Sequence, residues 1–422
     1  MADDDNTRAE FHLPGVEALR REEMWEMVHN DDFETALVTG CAGSGKTTLS
    51  IYRLIRLNNQ GERVKLLTFQ NMLVAFIKNC VVNNRSKLAD IEDESINEER
   101  IATFHSWFYR LHNFTFDVNS PPPIEEIHRM FRQKKFKQNT AVELLIDEGQ
   151  DLPLWIYEVL PAYYTRFLVS ADENQQLMHF PQGHVDKIEH ILSKASRHFW
   201  ALPLGQNFRN TYETYCFARQ FLPCVEFPKV WDKNIVDRIK SKKRSGRKPM
   251  VIPYSDIKTR NEHMQKILNN SVGIVGILCP IGPSSKEYNS GESAEAMYRL
   301  MTPWLPFGEK SATLYYSKNS NNDSESPPVP KVLRRYIFTT YMSAKGLEFD
   351  TVIIPRINFF RQPEKDKNTR IRQELYVACT RARSRIFIYR DLKNPQYDPI
   401  SKSDFDPTTY ESPGEITQGI TD

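Results

Sequence analysis

The sequence predicts an α/β protein with two lobes, each built around a largely parallel sheet. Short apolar runs alternate with longer amphipathic segments, which is typical of strands joined by crossover helices. The apolar runs fall into two groups, before and after about residue 205. A length of 422 residues is enough for two to four domains and a sizeable core. We therefore expect two α/β lobes along the chain.

The short apolar runs are the candidate strands, and their positions suggest the domain boundaries. The first lobe is expected over 1–205 and the second over 206–392, with a small helical decoration at about 211–270. The tail, 393–422, has four prolines and little periodicity, so it is expected to be extended or disordered. The candidate strands are Ala36–Thr39, Val64–Phe69, Val142–Ile146, Phe167–Ser170, Gly273–Cys279, Tyr336–Tyr341, Thr351–Pro355 and Arg385–Tyr389.

Composition excludes several classes of protein. The net charge is only +2, so any binding of nucleic acid needs a local basic patch. The six cysteines form no CxxC pair, so neither a zinc ribbon nor a dithiol redox site is suggested, and their scatter fits a reducing compartment. The acidic N-terminus lacks a signal-peptide core, and no apolar run approaches ~18 residues. No membrane span or membrane partner is therefore expected, and the expected location is the cytoplasm.

Residues 40–47 form a candidate phosphate cradle. They read Gly-Cys-Ala-Gly-Ser-Gly-Lys-Thr and fit G-x-x-x-x-G-K-[ST] completely, between an apolar run and an amphipathic helix. In that context backbone N–H groups and the helix N-terminus hold phosphate oxygens, the lysine reaches the β- and γ-phosphates, and the threonine hydroxyl binds Mg²⁺. A glycine-rich turn that matches by chance is the competing interpretation. The candidate phosphate-binding residues are Gly40, Gly43, Ser44, Gly45, Lys46, Thr47 and Thr48.

A pair of carboxylates follows a later apolar strand, in the segment "ELLIDEGQD". Carboxylates at the carboxyl end of a strand lie where α/β sheets present their ligands. Asp147 is placed to hold Mg²⁺, directly or through water. Glu148 can orient and deprotonate an attacking water, which an ATP hydrolase requires. A strand-end turn with solvated acids is the alternative, and the cradle argues against it.

At this point the motifs resemble those of superfamily-1 helicases of the UvrD/Rep type. The acidic motif has that family's DExQD form, and further motifs occur in the family's order over about residues 36 to 390. Each motif alone would pass for an ordinary turn, helix end or basic stretch. The further motifs are "LLTFQNM" (66–72, motif Ia), "TFHSW" (103–107, Ic), "LVSADENQQL" (168–177, III), "LGQNFRN" (204–210, IV), "TTYMSAKGLEFDTVIIP" (339–355, V) and "LYVACTRARSRI" (375–386, VI).

The resemblance implies two RecA-like lobes with an ATP site in the cleft between them, and ATP and Mg²⁺ as cofactors. It assigns Gln175 to the γ-phosphate or the attacking water, and Phe208 to stacking on the base. Arg209 and Arg381 match its γ-phosphate arginines, and Glu348 matches its ribose-side carboxylate. The expected catalytic set is Lys46, Asp147, Glu148, Gln175, Arg209 and Arg381. Candidate nucleic-acid contacts in the same motifs are Thr68, Phe69, Thr103, His105, Phe180 and Thr340.

The sequence departs from the family at several positions. The family's adenine-reading glutamine has no counterpart in residues 18–28, which leaves base selectivity open. Ala171 and Met342 stand where the family has Gly and His. Residues 178–180, Met-His-Phe, stand where the family has a Tyr-x-Trp that stacks on the single strand, a contact worth ~1–3 kcal/mol per base. Phe69, Trp107 and Phe180 could partly compensate, or each could belong to the core. There is also no room for the family's large second-lobe insert.

Three functions are compatible with these motifs. The first is an ATP-driven motor on single-stranded nucleic acid, with DNA favoured over RNA and 3′→5′ polarity if the family rule holds. The second is an ATPase subunit that senses nucleic acid or a partner protein and signals to a separate effector such as a nuclease, as in anti-phage defence, without unwinding. The third is a nucleotide-binding module inactive in hydrolysis, and the catalytic set argues against it.

Overall fold

The computed structural model divides the chain into two compact units. The N-terminal unit is Phe11–Phe208, and the C-terminal unit consists of Met1–Glu10 with Arg209–Asp422. The first residues group with the C-terminal unit because Arg8 forms an antiparallel bridge with Arg334. The described residues are 7–11, 13–14, 19, 23–83, 98–113, 123–133, 143–175, 185–222, 225, 227–231, 246–281, 292–317, 327–358, 365–393, 398–400 and 405–416.

The N-terminal unit is a parallel sheet with helices between its strands. Its elements are α1 Met24–His29, β1 Thr35–Gly40, α2 Lys46–Asn59, β2 Val64–Thr68, α3 Asn71–Asn83, β3 Ile101–Thr103, α4 Phe104–His112, α5 Ile124–Gln133, β4 Glu143–Ile146, α6 Trp155–Val159, β5 Arg166–Ala171, α7 Val185–Ala195 and β6 Phe199–Leu204. The strand order is β3-β2-β4-β5-β1-β6, with every pair parallel. The carboxyl ends of these strands therefore share one edge, where such sheets bind ligands.

A buried ion pair fastens α1 to this sheet. Arg53 on α2 is fully buried and donates to both carboxylate oxygens of Glu143 on β4. The same guanidinium donates to the backbone oxygens of Met27 at 2.7 Å and Asn30 at 2.8 Å, at the end of α1. A buried ion pair needs such additional hydrogen bonds, because they offset the cost of removing both charges from water. The network fixes α1 so that Met24 packs against Gly45.

The C-terminal unit holds a second parallel sheet. Its elements are α8 Tyr212–Ala218, β7 Met250–Tyr254, α9 Ile257–Asn270, β8 Val275–Cys279, α10 Ala294–Met301, β9 Ala312–Leu314, β10 Tyr336–Thr340, β11 Phe349–Ile354, α11 Lys365–Thr380 and β12 Ala382–Asp391. The strand order is β7-β12-β11-β8-β10-β9, with every pair parallel. Within the described parts of both units, no helix combines the length and apolarity needed to cross a membrane.

The predicted fold class, two α/β lobes with parallel sheets, is confirmed. Each of the eight predicted strands is present, with ends that coincide or differ by up to three residues. The strands that the sequence did not predict are β3, β6, β7 and β9, which are the edge strands of the two sheets. The stretch 211–270, expected as a helical decoration, contributes α8 and α9 but also β7. Its apolar run at Met250–Tyr254 pairs with β12.

The described part of the tail includes a short 3₁₀ segment, Pro407–Thr409, and packs on the rest of the C-terminal unit. Phe405 is buried, and its ring contacts the rings of Phe217 and Phe221. Farther along, Val251 N–H donates to Glu411 O at 2.8 Å. The tail therefore continues the sheet beyond its edge strand β7.

Candidate active site

The predicted phosphate cradle is the loop between β1 and α2. β1 ends at Gly40 and α2 begins at Lys46, so the loop opens a helix N-terminus. Gly43 and Gly45 have φ values of 76° and 95°, which L side chains rarely adopt. A Cβ on Gly45 would lie 2.6 Å from Cε of Met24, a flexible side chain that could move, so it is the positive φ that favours glycine there. This is the strand–loop–helix arrangement that the phosphate-binding motif needs.

Lys46 is held over this loop by the loop's own backbone. Its Nζ donates to Gly40 O at 2.8 Å and to Cys41 O at 3.0 Å. The carboxylate of Asp172, at the end of β5, lies 3.6 Å from the same Nζ and balances its charge. The ammonium group is nearly fully buried, so its position is determined by these partners. A lysine fixed in this way is placed to meet the β- and γ-phosphates of a nucleotide on the loop.

The two predicted Mg²⁺ ligands touch each other. Thr47 Oγ1 donates to Asp147 Oδ2 at 2.7 Å. Both residues fit Mg²⁺, which prefers hydroxyl and carboxylate oxygens, and Asp147 Oδ1 is buried without a hydrogen-bond partner among the described residues. Burial, and after it the charge of Glu148, raise the pKa of Asp147 to about 7, against the hydrogen bond from Thr47 and the charge of Lys46.

Glu148, the candidate general base, has an unusual backbone conformation. Its φ is 56° and its ψ is 43°, the left-handed region that costs a residue with a Cβ on the order of 1–3 kcal/mol. The side chain is nearly buried. The conformation arises where β4 ends and the chain turns at once into a short 3₁₀ segment, Gly149–Asp151. It places two neighbouring carboxylates, at positions 147 and 148, at the carboxyl edge of the sheet.

Asp172 is a further candidate site residue, to which the sequence analysis gave no role. Its carboxylate accepts a hydrogen bond from Nε2 of Gln175 and lies near Lys46. Asn174 N–H donates to the other carboxylate oxygen at 3.0 Å. Asp172 therefore connects the predicted water-orienting glutamine to the predicted phosphate-binding lysine. Its position in the sequence could have identified it, because Asp172 directly follows strand β5 just as Asp147 directly follows strand β4.

A pocket beside the cradle presents an aromatic ring. Phe208 N–H donates to Gly43 O at 2.8 Å, and its ring is 39% exposed. The polar side chains of Glu23 and Gln206 line the same pocket. The sequence predicted the aromatic face but not these two groups. The remaining lining residues are Met24, Ser44, Leu204 and Gly205, and Thr48 lies in the first turn of α2.

The predicted residues of the C-terminal unit fall into two groups. Arg209 Nε lies 3.2 Å from Glu348 Oε2, and Arg383 Nη1 lies 3.3 Å from Glu348 Oε1. Arg383 had no predicted role. Arg381 is fully buried, and its Nε donates to Val377 O at 3.0 Å. Glu348 and Arg209, the candidate ribose-side carboxylate and one candidate γ-phosphate arginine, are thus partners, whereas Arg381 is bonded to the end of the preceding helix, α11.

Candidate nucleic-acid contacts gather at the carboxyl edge of the first sheet. Thr68 and Thr103 are aligned at the ends of β2 and β3. The rings of Phe69 and His105 meet edge-on with centroids 5.4 Å apart. Burial lowers the pKa of His105, which favours the neutral ring. Thr68 and Thr103 are buried, whereas Phe69 and His105 are partly exposed, so the two rings are the groups that could stack on a base.

Three other candidates differ from this group. Thr340 belongs to the C-terminal unit, where its Oγ1 donates to Ser343 Oγ at 3.0 Å. Phe180 lies outside the described residues. Trp107 packs in the core, with its ring centroid 5.5 Å from that of Phe104, so it does not offer a replacement stacking face.

Comparison with known proteins supports the family resemblance. Residues 323–391 match the UvrD-like helicase C-terminal domain. A curated relative from Acanthamoeba polyphaga mimivirus, "Putative ATP-dependent DNA helicase R568", is 22% identical over 407 residues, which cover 90% of this chain and 54% of the relative. A solved structure described as "The structure of PRRSV helicase" matches at 14% identity with a TM-score of 0.34, over 89% of this chain and 55% of that one.

The chain spans about half the length of these two proteins. The domain match and the curated relative confirm the resemblance to superfamily-1 helicases of the UvrD/Rep type.

Proposed function

We propose that this chain, which carries a UvrD-like helicase C-terminal domain, hydrolyses ATP with Mg²⁺ to move 3′→5′ along single-stranded nucleic acid. The observation that carries the proposal is the convergence of Lys46, Thr47, Asp147 and Glu148 at one sheet edge. DNA is favoured over RNA, and the name of the mimivirus relative, a DNA helicase, supports that choice.

The chemistry follows from the side chains. Lys46 and the loop amides bind the phosphates, and Thr47 with Asp147 would hold Mg²⁺, which neutralises phosphate charge. Glu148 accepts the proton of the attacking water, and Gln175 orients that water. For Arg209 and Arg381, we propose the role of stabilising charge on the γ-phosphoryl group, because guanidinium groups match its oxygens in charge and geometry.

An ATPase that senses nucleic acid or a partner protein, without unwinding, is the second candidate function. The location of Trp107 in the core favours it, because one candidate stacking face is lost. In that case the energy of hydrolysis would signal to a separate effector such as a nuclease. A role in antiviral defence belongs to this second candidate, whereas the cytoplasm is the proposed location for both.

The test of the proposal is ATP hydrolysis by the purified chain with Mg²⁺. We expect the rate to rise with single-stranded DNA, to rise less with single-stranded RNA, and to stay near its basal value with blunt duplex. Lys46→Ala is the control that removes hydrolysis in every condition. A hydrolysis rate that none of the three polymers changes would contradict the motor and favour the sensing ATPase. No hydrolysis in any condition would contradict both.

Base selectivity gives a second prediction, at the pocket beside the cradle. A carboxylate only accepts hydrogen bonds, so Glu23 can accept from the amino group of adenine or from the two donors of guanine. We expect ATP and GTP to be hydrolysed with similar kcat/KM. Glu23→Gln supplies a donor as well as an acceptor and should raise the ATP:GTP ratio by about tenfold, the effect of one hydrogen bond. Glu26→Gln, on the exposed side of α1, is the matched control. A wild-type chain strict for ATP would contradict this role of Glu23.

A further inference from the structure

Gln150 is a fully buried amide between two parts of the candidate active site. Its Nε2 donates to Glu148 Oε2 at 2.6 Å. Its Oε1 accepts from Asp172 N–H at 2.9 Å. The side chain therefore joins the turn after β4 to the end of β5. Both ends of the amide are used, which is what makes burying it tolerable.

The hydrogen bond from Gln150 fixes the direction of the Glu148 carboxylate. Glu148 stands in a left-handed backbone conformation, and residues in sparsely populated conformations persist only where their surroundings determine them. The turn itself is held by another bond, since the hydroxyl of Tyr157 donates to Gly149 O. Tyr157 bonds only to the backbone of the turn, whereas Gln150 bonds to the side-chain carboxylate of Glu148. Its donor group fixes the direction of one carboxylate oxygen.

The contact with Asp172 connects this carboxylate to the phosphate side of the site. The carboxylate of Asp172 accepts from Gln175 and lies 3.6 Å from Lys46. A shift of Asp172 can therefore reach the Glu148 carboxylate through the buried amide of Gln150. A side chain of the same volume without hydrogen-bonding groups would pack there but would not couple the position of Asp172 to that of the Glu148 carboxylate.

We propose that Gln150 is a positioning residue that aims the Glu148 carboxylate at the attacking water and ties that aim to the segment holding Asp172 and Gln175. The proposal rests on the hydrolytic function proposed above. It predicts that Gln150 acts on the rate of the chemical step through Glu148. Nucleotide affinity depends instead on Lys46 and the cradle, so it should be preserved.

The first test compares Gln150→Met with the wild-type chain in ATP hydrolysis. Methionine has similar length and no comparable hydrogen-bonding group. We expect kcat to fall by about 10- to 100-fold, the range of a hydrogen bond to a charged group, with KM for ATP unchanged. Gln150→Glu is the second variant, because it keeps the volume and the acceptor for Asp172 N–H but loses the donor. It should lower kcat at least as much, and either variant suffices if the other fails to fold.

A double variant distinguishes an effect of Gln150 on the position of the Glu148 carboxylate from a general loss of order in the turn. In the Glu148→Gln background, Gln150→Met should lower kcat no further, because the group through which it acts is already removed. Tyr157→Phe is the matched control: it removes one buried hydrogen bond from the same turn and should leave kcat near the wild-type value. Equal losses from Tyr157→Phe and Gln150→Met, or additive losses in the double variant, would overturn the proposal. An inactive wild-type chain would instead contradict the hydrolytic function itself.

Discussion

Glu148→Gln should lower kcat for ATP hydrolysis by about 10²- to 10⁴-fold, the usual contribution of a positioned general base. Glutamine keeps the size of the side chain and an oxygen that can accept from Gln150, so the turn after β4 should stay folded. It cannot take a proton from water near neutral pH. Phosphate release under saturating ATP measures kcat, and calorimetric titration with ATP should give a dissociation constant like that of the wild type.

The control for this variant is Glu173→Gln, at an exposed carboxylate just beyond β5. It removes the same charge from the same sheet edge without touching the turn of Glu148. Its kcat should match the wild type. If Glu148→Gln hydrolysed ATP at the wild-type rate, the base would have to be another group, and Asp147, with its raised pKa, would be the first to examine.

Arg381→Lys should have the other large effect, a fall in kcat of about 10³- to 10⁵-fold, the range for an arginine that stabilises phosphoryl transfer. Lysine keeps the positive charge but lacks the planar fork of donors that matches phosphate oxygens. Alanine would be a poor choice, because Arg381 is buried and also donates to Val377 O within the C-terminal unit. Thermal unfolding of the lysine variant should therefore lie close to that of the wild type.

Arg385→Lys, on strand β12, which begins just after Arg381, is the matched control for Arg381→Lys. Its guanidinium lies over the ring of Phe387, 5.6 Å from the centroid, and has no proposed part in hydrolysis. Its kcat should be unchanged. A small effect of Arg381→Lys beside an intact fold would remove Arg381 from the catalytic set, and Arg209, which pairs with Glu348, would remain as the candidate.

The central strands could be predicted from the sequence, and the edge strands could not. Central strands of parallel sheets are covered on both faces, so they read as continuous apolar runs such as 144–146 on β4. β3 and β9 are only three residues long, and β6 and β7 contain Pro203 and Pro253. Short length and proline are typical of edge strands, where unpaired backbone groups would otherwise recruit another chain. The four edge strands were therefore missed because they are short or contain proline, and so lack the continuous apolar run from which the central strands were predicted.

The candidate active site also has a part that could be predicted from the sequence and a part that could not. The cradle could be predicted because its residues are contiguous and its motif depends on local backbone geometry. The roles of Gln150 and Asp172 could not, because they follow from β4 and β5 being neighbours in the sheet. The left-handed conformation of Glu148 also has no signature in its residue type. Contacts across strands require the topology, which the motifs alone do not supply.

The pairing of the tail with β7 has a consequence for solubility. Backbone groups of Pro249, Val251 and Pro253 are bonded to the tail at Glu411 and Ile416. A fragment that ended before residue 405 would leave those groups on an open sheet edge. Such an edge can accept a strand from a second molecule, so shortened versions of this chain would be prone to self-association and precipitation. We therefore expect the tail to improve the solubility of the chain by covering this edge.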